Sequence, residues 1–135
     1  MIVKFAKSAS RIIFRHNILN CIDTNTNKIM IDSSTIKEIT TRIVNSINPE
    51  KIILFGSYAY GEPTVNSDLD ICVIENSYKS KMEEKAKLRE ALKGIRGAKD
   101  ILIPSLEEYN FYKNEINSVY YEIETKGCVL WEKNS

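Results

Sequence analysis

The sequence predicts an α/β fold (equally describable as α+β) built as one main domain. A chain of 135 residues has the length of a single domain. Short apolar runs rich in β-branched residues alternate with longer segments whose apolar residues recur at helical spacing. The apolar share of 43% and the charged share of 27% are ordinary for a globular protein. No run approaches the length of about 18 apolar residues that a membrane span requires, so we expect no membrane association.

The first half of this domain contains a helix, two strands and a helical turn. Ser33-Ser34 is a candidate helix cap, a stripe of isoleucine and valine follows at helical spacing, and Asn48-Pro49 ends the helix. Two β-rich apolar runs come next, separated by a turn and a loop that contains glycine, proline and asparagine. The predicted elements are a helix from Ser33 to Asn48-Pro49, a strand over 51–55, a helical turn over 57–60 and a strand over 69–75.

The second half alternates in the same way. A segment rich in Lys, Glu, Ala and Leu predicts an exposed helix, which Gly94 and Gly97 end. Pro104-Ser105 is a helix start, and Gly127 is a helix stop. The predicted elements are a helix over 80–93, a strand over 99–103, helices over 104–116 and 118–126, and a final strand over 128–131.

Residues 1–29 read as an N-terminal basic extension, and residues 30–135 as the catalytic domain. Residues 1–22 contain lysine, arginine and histidine but no acid, in a pattern that fits a basic amphipathic helix. Such a helix can serve in targeting, at a membrane surface or on nucleic acid, but it more commonly packs on its own domain or on a second copy. Residues 23–28 have the composition of a linker.

Charge, cysteine and histidine content exclude several function classes. The net charge of +1 gives no field that favours nucleic acid. Cys21, Cys72 and Cys128 are scattered and form no CxxC pair, which favours reduced thiols in a cytoplasmic protein. The single histidine, His16, excludes a zinc site built on several histidines.

The pattern that carries chemistry is a Gly-Ser turn followed by three aspartates. Gly56-Ser57 ends one apolar run, Asp68 and Asp70 open the next ten residues later, and Asp100 opens a third. Alternation along a strand places Asp68 and Asp70 on one face, where two carboxylates repel each other unless a cation or proton lies between them. Mg²⁺ prefers such oxygen ligands. If the third strand neighbours the second, three carboxylates can hold two metal ions for phosphoryl chemistry.

The Gly-Ser turn supplies the complementary half of a site. Gly56 permits a tight strand-to-helix turn and close approach of the backbone to a ligand. The amides that open the next helical turn, together with the Ser57 hydroxyl, can hold phosphate oxygens. Either feature alone is weak evidence, because many strands end in Gly-Ser and many turns contain Asp-x-Asp; together they indicate nucleotide chemistry.

At these residues the chain resembles the minimal nucleotidyltransferases of the DNA polymerase β-like superfamily. That family carries Gly-Ser, ten residues, Asp-x-Asp and a third carboxylate on a later strand, and the resemblance covers about residues 33–132. It implies a polymerase β-like fold with a mixed sheet of about three to five strands, ATP as donor and two Mg²⁺ ions. It also implies that Asp68, Asp70 and Asp100 are metal ligands, that Asp100 helps to deprotonate the acceptor, and that Gly56 and Ser57 bind the β- and γ-phosphates.

The resemblance also suggests a biological role. Relatives of this size are often antitoxins that transfer AMP to a helical HEPN-type toxin, so we expect a HEPN-type partner or a homodimer. The chain differs at Tyr60, where many relatives carry arginine, which bears on triphosphate binding. The alternative function is an inactive nucleotidyltransferase-fold module that neutralises a partner by contact. An antibiotic-modifying transferase and a polymerase fit less well, for lack of an evident substrate domain and of net positive charge.

Overall fold

The computed structural model describes residues 10–12 and 31–133. They form five strands and five helices, and from residue 33 onward these elements come in the order that the sequence predicts. The strands are β1 (Ser10–Ile12), β2 (Lys51–Phe55), β3 (Leu69–Ile74), β4 (Lys99–Leu102) and β5 (Cys128–Lys133), and the helices are α1 (Ser33–Ile47), α2 (Ser57–Tyr60), α3 (Lys81–Ala91), α4 (Leu106–Tyr112) and α5 (Val119–Lys126).

The strands form one mixed sheet in the order β1-β5-β2-β3-β4. All neighbours are antiparallel except β3 and β4, which run parallel and are connected by α3. A parallel pair needs such a crossover, because its strands start at the same edge of the sheet. The predicted α/β class and the mixed sheet of three to five strands are therefore confirmed.

Both faces of the sheet are covered by helices, and side chains along β3 alternate between the two faces. Leu69 and Ile71 pack in the cluster that contains α1 and α3 residues. Cys72 and Ile74 pack in a second cluster, with Tyr109 of α4 and Ile123 of α5. By the same alternation Asp70 belongs to the face that α4 and α5 cover.

Several element boundaries differ from prediction, and hydrogen bonds account for the differences. Asp32, not Ser33-Ser34, caps α1, because its carboxylate accepts a hydrogen bond from the Thr35 amide at 2.9 Å. The helix predicted to reach residue 116 ends at Tyr112, and Ser118 Oγ donates to the Tyr112 carbonyl at 2.7 Å while capping α5. The last strand extends to Lys133, whose amide donates to the Glu50 carbonyl at 2.9 Å.

Two expectations about the N-terminal segment and the cysteines need correction. Residues 10–12 form a strand that pairs with β5, so the helical interpretation is wrong there. The other residues of the 1–29 extension lie outside the described part, and the domain division remains a prediction. Cys72 is a free, buried thiol as expected, whereas Cys128 is disulfide-bonded, so the expectation of a reduced thiol is wrong for that residue. Cys21 lies outside the described residues.

None of the helices in the described part of the chain has the length and apolarity needed to cross a membrane.

A buried carboxyl pair couples the docking of α3 to pH. Glu75 follows β3 and is 6% exposed, and burial, then the neighbouring Glu84 carboxylate, raises the pKa of Glu75 to about 8. Burial alone would raise the pKa of Glu84, but hydrogen bonds from Glu75 and Lys87 outweigh burial and lower it. Lys87 Nζ lies 3.1 Å from Glu84 Oε2. These shifts favour a protonated Glu75 beside an ionised Glu84 in the folded state.

We expect Glu75→Gln to remove a pH dependence of stability. The folded pKa of Glu75 lies above its ordinary value of 4.5, so its contribution is complete below pH 4.5 and is lost as pH rises through about 8. Over that range the wild-type free energy of unfolding should fall by about 1 kcal/mol or more relative to Glu75→Gln, since one pKa unit corresponds to about 1.4 kcal/mol. Thermal unfolding at stepped pH measures the difference. The exposed Glu83→Gln on the same helix is the control, and equal slopes for all three proteins would contradict the prediction.

Candidate active site

The Gly-Ser turn has the strand-turn-helix form that the sequence predicts. β2 ends at Phe55, Gly56 takes φ +76°, and α2 begins at Ser57. The amides of Ala59 and Tyr60 both donate to the Gly56 carbonyl, at 3.0 and 3.1 Å. Within the described residues the Ser57 hydroxyl makes no hydrogen bond. The turn thus presents a hydroxyl and the first amides of a helix, which have no acceptor inside that helix.

Asp70 lies directly against this turn. Its register partner on the antiparallel strand β2 is Phe55, the residue before Gly56. A Cβ atom placed on Gly56 would lie 2.1 Å from Asp70 Oδ2, well inside contact distance. Only glycine at position 56 therefore leaves room for the Asp70 carboxylate, and this contact joins the two halves of the sequence motif.

The structure brings the other two predicted aspartates close to Asp70, at the end of the sheet where β3 and β4 begin. Asp100 is the register partner of Asp70 across the parallel pair β3–β4, about 5 Å away at ordinary strand spacing. Asp68 precedes β3, after a turn in which the Ser67 amide donates to the Thr64 carbonyl at 3.0 Å. Asp70 is half-buried, whereas Asp68 and Asp100 are exposed, Asp100 on the outer strand. The condition set by the sequence, that the third strand neighbours the second, is met.

The electrostatics at Asp70 reflect this grouping. Burial raises the pKa of Asp70, and the charges of Asp100 and then Asp68 raise it further. Across residues 10–12 and 31–133, no three Asp, Glu, His or Cys side chains are already arranged to hold a metal ion. Mg²⁺ commonly binds through only one or two carboxylates and takes its remaining ligands from substrate phosphates and water. The three aspartates fit a cation that takes its remaining ligands from phosphate oxygens and water.

A contact between α2 and α5 adds residues that the sequence did not single out. The Tyr60 hydroxyl donates to the Glu122 carboxylate, and burial, then this bond, raises the pKa of Tyr60 to about 12. Lys126 Nζ lies 5.7 Å from the centre of the Tyr60 ring. A cation therefore stands beside the position where many relatives carry arginine. The 62-residue separation of Tyr60 and Glu122 hides this contact from local sequence patterns.

Comparisons with known proteins identify the family. The family model for the nucleotidyltransferase domain matches residues 34–127, more than half of the 135-residue chain. A Methanocaldococcus jannaschii protein named "putative protein adenylyltransferase" is 41% identical over 85 residues, which cover 58% of this chain and 84% of the relative. A crystal structure titled as a "putative nucleotidyltransferase" from Sulfolobus solfataricus is similar at a TM-score of 0.49 and 22% identity, over 66% of this chain and 85% of that one. With the family match spanning both halves of the motif and the three aspartates, this chain belongs to the nucleotidyltransferase domain family.

Proposed function

We propose that this nucleotidyltransferase moves AMP from ATP to a hydroxyl of a partner protein or small molecule, in a Mg²⁺-dependent reaction. The observation that carries the proposal is the contact of Asp70 with the Gly56 turn while Asp70 lies in register with Asp100. The phosphate turn and the carboxylates therefore belong to one site. The name of the Methanocaldococcus jannaschii relative supports adenylyl transfer to a protein.

Each residue has a role that its position supports. Gly56 and Ser57 bind the β- and γ-phosphates through backbone amides and the free Ser57 hydroxyl. Asp68 and Asp70 would hold Mg²⁺, and Asp100 would complete the ligand set from the neighbouring strand. When bound, two Mg²⁺ ions would supply charge neutralisation of the triphosphate and of the departing pyrophosphate.

The transfer step follows from these positions. The acceptor oxygen attacks the α-phosphorus of ATP and forms a new O–P bond. The bond between the α-phosphorus and the oxygen that bridges to the β-phosphorus breaks, and pyrophosphate leaves with that electron pair. Asp100 accepts the proton of the acceptor hydroxyl, which makes the oxygen a better nucleophile.

The biological role we propose is that of a cytoplasmic antitoxin that modifies a HEPN-type helical toxin. A partner surface is available near α5, because a run of large apolar side chains is exposed there. Phe111 is 71% exposed and Ile116 is 74% exposed, and Tyr112 and Val119 lie at 43% and 42%. Large exposed apolar patches are a feature of protein interaction sites. A homodimer through the same residues is the other arrangement.

The alternative function is that of an inactive nucleotidyltransferase-fold module that neutralises a partner by binding alone. The two functions separate when the chain is incubated with Mg²⁺, ATP labelled at the α-phosphate and the helical protein encoded beside it. Transfer is established if the wild-type chain labels the partner and the Asp68→Ala/Asp70→Ala variant does not. The variant must still form the complex. A stable complex that is never labelled and a chain that binds no Mg-ATP establish the contact function.

Lys126→Ala should weaken ATP binding by about tenfold, a loss near 1.4 kcal/mol. The physical reason is the loss of the cation beside Tyr60, at the end of the sheet where Gly56 and Asp70 meet. Titration calorimetry with Mg²⁺ and a non-hydrolysable ATP analogue measures the change. Lys79→Ala is the matched control, because residue 79 follows the opposite end of β3. Equal affinities for the two variants would exclude Lys126 from donor binding.

A further inference from the structure

A groove with a volume of about 630 Å³ lies between α3 and the edge strand β4. Its apolar lining comes from Leu88 and Leu92 on the α3 side and from Ile101 and Ile103 on the β4 side. Asp100 also lines it, so the groove reaches the candidate active site. Apart from Asp100, none of the residues that line the groove has a role in the proposed function.

The groove is lined by four cationic side chains and by two acidic ones, Glu90 and Asp100, and two of the cations are unpaired. Lys85 and Arg89 line it and lie one helical turn apart on α3. Neither makes an ion pair or hydrogen bond with any residue the structure describes. Lys93, in contrast, pairs with Glu90 at 3.6 Å, and Lys99 Nζ donates to the Ile95 and Gly97 carbonyls at 2.9 and 2.7 Å. Two cations thus remain for a ligand.

The backbone of β4 offers hydrogen-bonding groups beside those cations. β4 is the last strand of the sheet on this side and pairs only with β3 among the described strands. The Leu69 amide donates to the Ala98 carbonyl, which fixes the parallel pattern. That pattern turns the amides of Asp100 and Leu102 toward β3 and those of Lys99 and Ile101 toward the outer edge. An edge of this kind can accept a further strand.

We propose that this groove binds an extended, acidic segment of the acceptor protein, added as a strand to the edge of β4. Alternate side chains of an added strand point to opposite faces of the sheet. One set faces α3, where acidic groups meet Lys85 and Arg89. The other set faces the side of Asp70 and Asp100, where a hydroxyl can be modified. The inference rests on the proposed nucleotidyl transfer and deepens it: the acceptor hydroxyl has acidic residues immediately before and after it.

Charge and shape favour this occupant over two others. Residues 1–22 of the chain itself are basic and contain no acid, so they are repelled by Lys85 and Arg89. Nucleic acid draws its affinity from many phosphate contacts, whereas this groove has two free cations, among the residues the structure describes, above an apolar floor. An extended peptide uses both the apolar floor and the free backbone edge.

The test uses fluorescein-labelled decapeptides and fluorescence anisotropy. One peptide alternates glutamate with serine, a second alternates lysine with serine, and a third is the glutamate peptide with N-methyl groups on alternate amides. We expect the glutamate peptide to bind, the lysine peptide not to bind, and N-methylation of the edge-facing amides to abolish binding. Lys85→Glu/Arg89→Glu should weaken binding at least tenfold, and the control Lys79→Glu/Lys113→Glu should not. Thermal unfolding confirms that each variant is folded.

The outcomes separate this inference from the proposed function. The glutamate peptide should also bind in the absence of Mg²⁺ and ATP, because binding needs no chemistry. Peptide binding without any transfer of α-label supports the groove and counts against the proposed function. Transfer to the protein partner at the wild-type rate by Lys85→Glu/Arg89→Glu overturns the groove alone. No binding of the glutamate peptide, or preferential binding of a single-stranded oligonucleotide that the double variant loses, also overturns it.

Discussion

Replacing Asp70 with asparagine is expected to lower the rate of nucleotidyl transfer by about a thousandfold, a loss typical of removing one electrostatic partner of a transition state. Asparagine keeps the size of the side chain and its fit against Gly56 but removes the charge that a cation requires. The measurement is the initial rate of α-label transfer at saturating Mg-ATP. A variant that keeps more than a tenth of the wild-type rate would contradict the role given to Asp70.

The same substitution should leave the fold at least as stable at pH 7. Burial and the charges of Asp100 and Asp68 raise the pKa of Asp70, so its protonated form is favoured on folding. That contribution is present below the ordinary pKa of the group and is lost as pH rises through the folded value. At neutral pH the ionised carboxylate is therefore a cost that asparagine does not carry. Thermal unfolding at pH 7 checks this.

Asp32→Asn is the control, because the pKa of Asp32 is shifted in the opposite direction from that of Asp70. Hydrogen bonds with the Thr35 amide, then that with Ser34, lower the pKa of Asp32, so its charged form stabilises the folded state above its ordinary pKa. An asparagine at this position would still cap α1, so we expect at most a small loss of stability and no loss of transfer. If this variant also lost transfer, the effect of Asp70→Asn could not be assigned to the position of Asp70 in the site.

Gly56→Ala has the second large expected effect. Residue 56 takes φ +76° with ψ −159°, a region that is nearly restricted to glycine, and its new Cβ would lie 2.1 Å from Asp70 Oδ2. We expect the free energy of unfolding to fall by about 2 kcal/mol or more and transfer to fall by about a hundredfold or more, because a displaced carboxylate no longer meets the phosphate turn. Denaturant unfolding and the transfer rate are the two measurements.

Gly94→Ala is the matched control for that variant. Gly94 also has a positive φ, +89°, but a Cβ there meets no described atom within 4 Å. It should show the backbone cost alone, with transfer unchanged. If the two alanine variants lost transfer equally, the contact of Gly56 with Asp70 would have no special part in the site.

The sequence predicted those features that depend on local pattern. Residues 51–55 and 57–60 form the strand and the helical turn at the predicted limits, because β-branched residues and a glycine turn specify them locally. The sequence predicted that Asp100 would join Asp70 if the third strand neighbours the second, and the pairing of β3 with β4 meets that condition. The predicted length of α4 was wrong, because the helix ends at Tyr112, whose carbonyl accepts a hydrogen bond from the Ser118 hydroxyl six residues later.

The features that the sequence did not predict depend on strand register and long-range packing. The position of Asp70 over Gly56 follows from the pairing of Phe55 with Asp70, and a shift by one residue would move the carboxylate to the other face. The Tyr60–Glu122 bond and the pairing of residues 10–12 with β5 join segments that are far apart in sequence. No periodicity within one segment encodes such contacts.

In the proposed reaction the Gly56 turn and the three aspartates direct transfer of the nucleotidyl group and not of the terminal phosphate. The most direct measurement incubates the chain and its acceptor with Mg²⁺ and ATP labelled at the α-phosphate in one reaction and at the γ-phosphate in another. We predict that only the α-label reaches the acceptor, with one pyrophosphate released for each label. Transfer of the γ-label, or α-label transfer that persists in Asp68→Ala/Asp70→Ala, would contradict the claim.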